Sequence, residues 1–172
     1  MFDLRPANAD YFERLLCFAK KIFTFFDAQQ IDYVIYGSFA LFYYTKNTSL
    51  AVNDIDVMVK PEDYPQIISF LKEQNISFKQ DGDDFSIQED DLLIELDGWE
   101  LGGAHLKTTL ESNIVSVYDM NLSFVTLHYL EVIYALAQAD PNNTDAEKIH
   151  DKITYLEAFL GRSIVKDTDI EE

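Results

Sequence analysis

Two aspartates spaced two apart, Asp54 and Asp56, stand in the apolar run Ile55, Val57, Met58 and Val59. Strand side chains alternate, so residues i and i+2 share a face. Paired carboxylates on one face are a ligand set for Mg²⁺, a small octahedral cation that takes hard oxygens at about 2.1 Å and keeps waters or substrate phosphates in its other positions. Upstream, Asp32 to Tyr36 reads as a strand ending in Gly37-Ser38, where the chain must turn into a helix. Glycine there lets backbone approach a ligand, and the free amides of a helix start attract anions. Plainer readings stand beside these. In a chain this acidic an Asp-x-Asp can be a solvated pair, and Gly37-Ser38 can be a turn with Ser38 as N-cap. Against the solvated pair, Ile55, Val57 and Val59 fill the opposite face and Met58 follows the aspartates on theirs. The two readings of Ser38 coexist, because a cap and a phosphate use the same amides.

The elements that must position these residues follow from periodicity. Asn8 to Gln29 reads as an amphipathic helix, with Phe12, Leu15, Leu16, Ala19, Phe23 and Phe26 at three- and four-residue steps. Ser38 to Tyr44 is the helix after the turn, and Pro61 to Gln74 another, with Pro61, Glu62 and Asp63 in its first turn. Phe85 to Gln88 and Leu92 to Asp97 form a hairpin, Ile114 to Tyr118 one more strand. In the second hairpin strand Glu95 and Asp97 share a face while Leu92, Ile94 and Leu96 take the other. Thr126 to Ala139 and Thr144 to Leu160 are helices, the latter with Thr144 and Glu147 as a capping box and Gly161 as its stop.

The 172 residues, 48% hydrophobic and 14% aromatic, suffice for one sizeable core. We divide them into a domain over 1–120, a helical extension over 121–166 packed on it, and an acidic tail over 167–172. The net charge of −18, from 13 Lys and Arg against 31 Asp and Glu, argues against a protein that grips nucleic acid along its backbone. A small nucleotide stays open, since Mg²⁺ supplies positive charge. Cys17 excludes an internal disulfide and reads as a small buried side chain. No apolar run reaches about 18 residues and no signal peptide opens the sequence, so no membrane is expected and the default location is cytoplasmic. His105, His128 and His150 have no zinc spacing with Cys17, and no Gly-x-Ser-x-Gly elbow, Walker A or Gly-x-Gly-x-x-Gly motif occurs.

Tyr36-Gly37-Ser38-Phe39-Ala40, a helix-length spacer and Asn53-Asp54-Ile55-Asp56-Val57-Met58-Val59 resemble the signature of the nucleotidyltransferase superfamily, the DNA polymerase β-like fold. The resemblance extends weakly to about residue 120. It implies an α+β fold, a small mixed sheet flanked by helices with further helices at the C-terminus. It implies a two-metal site in which Asp54 and Asp56 bridge two Mg²⁺ ions, Gly37 and Ser38 hold the β- and γ-phosphates of a nucleoside triphosphate such as ATP, and a third carboxylate on a later strand completes the site. Glu95 and Asp97 are both candidates and the resemblance does not choose. Asp97 has the shorter reach and the family's residue type, so it joins Asp54 and Asp56 as the expected metal set. Glu95 lies deeper in the apolar run, and either can equally be a solubilising edge charge.

Two departures bear on phosphate binding. Ser49 to Asn53 carries no basic residue before the aspartates, and Thr126 to Ala139 carries no Lys, where abortive-infection and toxin-type relatives have one. Lys148, beside His150-Asp151, and Lys46 are the alternative phosphate partners; each is otherwise a solvated surface charge. The family's acceptors include aminoglycosides, lincosamides, tRNA and partner proteins, and the charge disfavours tRNA. The expected activity is therefore transfer of a nucleoside monophosphate to a small-molecule or protein hydroxyl. The competing expectation is a non-catalytic module that keeps the fold for interaction, or a toxin-antitoxin component. Trp99, which can equally be a core anchor, and Tyr43 and Tyr44 are expected to wall the pocket. Oligomeric state is not legible.

Overall fold

Phe12, Leu15, Leu16, Phe18, Ala19, Ile22, Phe23 and Phe26 make the buried stripe of α1 (Ala9–Gln29), which ends where Gln30 turns left-handed. The computed structural model describes residues 3–82, 84–98 and 111–165; Trp99, His105 and the tail at 167–172 lie outside them. Cys17 falls off the stripe and is exposed, contrary to the buried thiol expected from its apolar neighbours.

From α1 the chain enters β1 (Tyr33–Tyr36), α2 (Gly37–Thr45) and β2 (Ile55–Val59). A single 3₁₀ turn, Pro61–Asp63, leads into α3 (Tyr64–Glu73). Then come β3 (Ser77–Asp81), β4 (Asp84–Glu89), β5 (Leu92–Gly98), β6 (Ser112–Val117) and β7 (Met120–Val125), and the helices α4 (Leu127–Ala139) and α5 (Ala146–Leu160). The seven strands form one mixed sheet in the order β3-β4-β5-β2-β1-β7-β6. β2 runs parallel to β5, and β1 parallel to β7, with the other neighbours antiparallel.

Hydrophobic alternation explains the centre of the sheet. Ile55, Val57 and Val59 of β2 and Ile94 and Leu96 of β5 are buried, and their register aligns Ile55 with Ile94 and Val57 with Leu96. The same register sets Asp56 beside Glu95 and Met58 beside Asp97. On the other flank of β2, Tyr36 at the end of β1 pairs with Asp56. One short ladder thus brings the β1–α2 turn, the aspartate strand and the acidic strand together. α2 packs on β1 and β2, and α4 and α5 pack on α2 and on each other.

The division at 120/121 falls inside β7, whose Phe124 pairs with Ile35 of β1, so the sheet continues past 120. Two strands have no counterpart in the sequence reading. β3 is a polar edge strand that buries no residue, so it has no alternation to read. β7 buries Leu122, Phe124 and Val125, but its short run abuts the helix start at Thr126. Both expected caps move. Tyr36 holds the N-cap position of α2, because Gly37 already opens the helix and leaves Ser38 inside its first turn. Asp145, without a side-chain cap bond, replaces Thr144 at α5. Gly161 ends α5 in the left-handed conformation, as expected. Among the described residues, no helix is long and apolar enough to cross a membrane.

Candidate active site

Asp54, Asp56 and Glu95 each offer a carboxylate oxygen, and these oxygens lie within 4.8 Å of one another. Among the described residues they are the cluster of three or more acidic, His or Cys side chains able to hold a cation. Gly37 shapes the floor beneath them. Its φ is +65°, and a Cβ built on it would stand 1.7 Å from Asp56 Oδ2. No other residue fits against that carboxylate, both for space and because side chains disfavour this backbone region. The glycine of the turn is thus required by the aspartate of the neighbouring strand.

Electrostatics mark the same point. Burial, the Asp54 charge and then Glu95 and Asp97 push the Asp56 carboxyl up to about 8, against a lowering by Lys152. Burial, then Asp54 and Asp97, raise Glu95 as well. Tyr134 of α4 buries its hydroxyl with no hydrogen-bond partner among the described residues, and after burial the charges of Asp56 and Asp54 raise it further. Crowded, partly buried carboxylates with little counter-charge are the arrangement a bound cation relieves. The donor set is all hard oxygen, which fits Mg²⁺ and excludes a thiolate or imidazole site.

Asp97 stands outside this cluster. Two positions along β5 from Glu95, it pairs in register with Met58 and accepts the hydroxyl of the half-buried Tyr36. Burial raises it, and the Tyr36 bond partly offsets that.

A cleft of about 400 Å³ opens over the cluster. Ser38, Asp54, Asp56 and Glu95 line one side, and Asp145, Lys148, Asp151, Lys152 and Tyr155 of the α5 region line the other. Lys148 pairs with Asp145 at 3.0 Å, both well exposed, a bond too weak to keep it from a phosphate. Lys46 is exposed at the left-handed C-cap of α2 and is not among the lining residues. Tyr43 stacks on Phe124 and Tyr44 donates to the Val125 carbonyl at 2.7 Å, so these aromatics serve the core and not the cleft.

No protein-family model matches the chain, and no curated protein matches it. Solved structures do. The antibiotic-resistance factor ANT(2'')-Ia superposes with a TM-score of 0.60 at 12% identity, over 88% of this chain and 91% of its own. An antigenic nucleotidyltransferase-like protein from Paracoccidioides brasiliensis gives 0.59 at 13%, over 85% and 76%. The lincosamide antibiotic adenylyltransferase LnuA gives 0.56 at 10%, over 86% and 97%. The chain has the nucleotidyltransferase fold. Identities this low establish the architecture, and the site must be argued from its own residues.

Within this fold Lys152 is the cation the sequence reading missed. It comes from α5, one turn beyond Lys148, and Tyr155 follows on the same face. The spacing Lys148, Lys152, Tyr155 was visible as a helical stripe. Nothing in the sequence said that α5 would return over the aspartates.

Proposed function

We propose that this chain is a Mg²⁺-dependent nucleotidyltransferase that moves a nucleoside monophosphate from a nucleoside triphosphate to a hydroxyl of a small molecule or protein. The observation that carries this reading is the convergence of Asp54, Asp56 and Glu95 against the Gly37 backbone. These three carboxylates would hold two Mg²⁺ ions, with Glu95 rather than Asp97 as the third ligand. When bound, such ions neutralise the phosphate charge and lower the barrier to in-line displacement at phosphorus.

The chain's own groups supply the rest. Ser38, at the start of α2, lines the cleft, and its hydroxyl with the free amides of that helix start would hold the β- and γ-phosphates. Lys152 and Lys148 reach the same space from the opposite wall. Five lining carboxylates, Asp54, Asp56, Glu95, Asp145 and Asp151, face those two ammonium groups. A triphosphate therefore enters only together with cations. The acceptor oxygen attacks the α-phosphorus, the bond to the β-phosphate oxygen breaks, and pyrophosphate leaves. Glu95, whose carboxyl burial raises above its ordinary value, would take the acceptor's proton.

A second hollow of about 350 Å³ lies on the far side of Glu95, lined by Lys79, Asp81, Asp84, Ser86 and Asp97 among others. It shares Glu95 with the cleft, which suits an acceptor pocket, and its acidic wall suits a cationic acceptor. ANT(2'')-Ia has been solved with adenylyl-2''-tobramycin and LnuA with lincomycin, in line with a small-molecule acceptor. The test is incubation with Mg²⁺ and each α-labelled nucleoside triphosphate, alongside an aminoglycoside and lincosamide panel, total RNA and a protein extract. Label on the small molecules or protein is expected. Label chiefly on RNA would refute the acceptor assignment, and absence of both transfer and metal-dependent nucleotide binding would favour the non-catalytic module.

A further inference from the structure

Asp54 sits one residue before β2 begins at Ile55, outside the span of the strand. Three carboxylates within 4.8 Å repel one another, and an unbraced loop would carry Asp54 away from the other two. The brace comes from the start of α1. The Asn8 side chain donates to the Val52 carbonyl at 2.8 Å and accepts the Val52 amide at 3.0 Å, pairing with that residue as a neighbouring strand would. The Tyr11 hydroxyl lies 2.7 Å from the Asn53 carbonyl and 2.9 Å from the Asp91 carbonyl.

These two carbonyls belong to the segments that lead into the metal ligands. Asn53 precedes Asp54, and Asp91 precedes Leu92, where β5 begins its run to Glu95. A single hydroxyl proton is shared between them. Arg14 grips the Asp91 carboxylate through both fork nitrogens, at 2.7 and 2.8 Å, and stands over the Tyr11 ring at 5.4 Å. We infer that Tyr11 is a positioning residue, its hydroxyl tying the Asp54 loop to the root of the Glu95 strand and so setting the spacing of the cation site. The inference rests on the metal reading above. It assigns a role in the site to α1, an element whose buried stripe otherwise serves only the core.

Tyr11→Phe removes the hydroxyl and keeps the ring under Arg14. Groups that orient metal ligands cost about 10- to 100-fold in metal affinity when removed. Calorimetric titration of the full chain with Mn²⁺ alone should therefore show Kd rising by at least about tenfold in Y11F. The Tm in EDTA should move by no more than about 4 °C. Asn8→Ser, which shortens the clamp on Val52, should weaken Mn²⁺ in the same direction, and Asp54→Asn should abolish the site. A merely structural role would lower Tm without changing the Kd of the folded protein. Tight Mn²⁺ binding by the wild-type chain that Y11F leaves unchanged would overturn the brace alone. No Mn²⁺ binding by the wild-type chain would overturn the metal reading and the positioning role with it.

Discussion

Asp56→Asn should make the metal-free protein more stable at alkaline pH while removing its response to Mg²⁺. The Asp56 carboxyl moves from its usual 3.8 to about 8 on folding, burial being the largest cause and the Asp54 charge the next. A folded value above the unfolded one means that the native state holds the extra proton. That contribution is whole below about pH 4 and is lost as pH rises through about 8. At about 1.4 kcal/mol per tenfold in proton affinity, the full gap is about 6 kcal/mol. The side chain still opens on the cleft, and screening by water reduces the figure to about 2–3 kcal/mol. For a chain of 172 residues this corresponds to roughly 5–10 °C in Tm. The assay is thermal unfolding from pH 5 to pH 9, in EDTA and in Mg²⁺. Wild type in EDTA should fall progressively below Asp56→Asn as pH rises, and Mg²⁺ should restore wild type alone at pH 8. Parallel profiles, or equal stabilisation of both proteins by Mg²⁺, would refute the reasoning.

Gly37→Ala drives a Cβ into Asp56 Oδ2 at a φ of +65°; expected are a loss of at least about 1–2 kcal/mol by urea unfolding and loss of Mn²⁺ binding by titration. Lys152→Met removes the cation that lowers Asp56 and should raise the nucleotide Kd about tenfold by calorimetry, whereas Lys46→Ala, exposed and away from the cleft, should leave it unchanged. Arg162→Ala strands the Glu131 carboxylate, which is 2% exposed and held by Arg162 at 2.6 Å; unfolding should show a loss of about 2–3 kcal/mol. Arg162 holds Glu131 below the usual carboxylate range. The wild-type advantage should therefore be whole above about pH 4.5 and be lost as pH falls below that, through the lowered folded value.

How much of this could be read from the sequence depends on how local each cause is. The Gly37-Ser38 turn, the aspartate strand and the stripe of α1 are local patterns, and each lies within one residue of its expected bounds. The choice between Glu95 and Asp97 is a register question. Both side chains face the same way on β5, and only the parallel pairing of Asp56 with Glu95 separates them. That pairing follows from matching Ile55 and Val57 to Ile94 and Leu96 across 39 positions of sequence, which no single-strand pattern contains. Cys17 misled because composition alone suggested burial, whereas helix phase put it outside.

The same distinction applies to the cations of the cleft. Ser49 to Asn53, beside the aspartates, offers no basic residue, and the sequence points instead to Lys46 and to Lys148 downstream. In the folded chain Lys148 lines the cleft, joined there by Lys152, both from more than 90 positions downstream on a helix held in place by its packing on α2 and α4. Arg162, just past the end of α5, pairs with Glu131 of α4, and the Val165 amide donates to the same carboxylate. The buried Glu131 anchor therefore fixes the helix that carries the cleft's cations. A cleft whose carboxylates are set by short strand pairings, and whose cations arrive on a separately anchored helix, can vary its cationic wall through α5 without disturbing Asp54, Asp56 or Glu95.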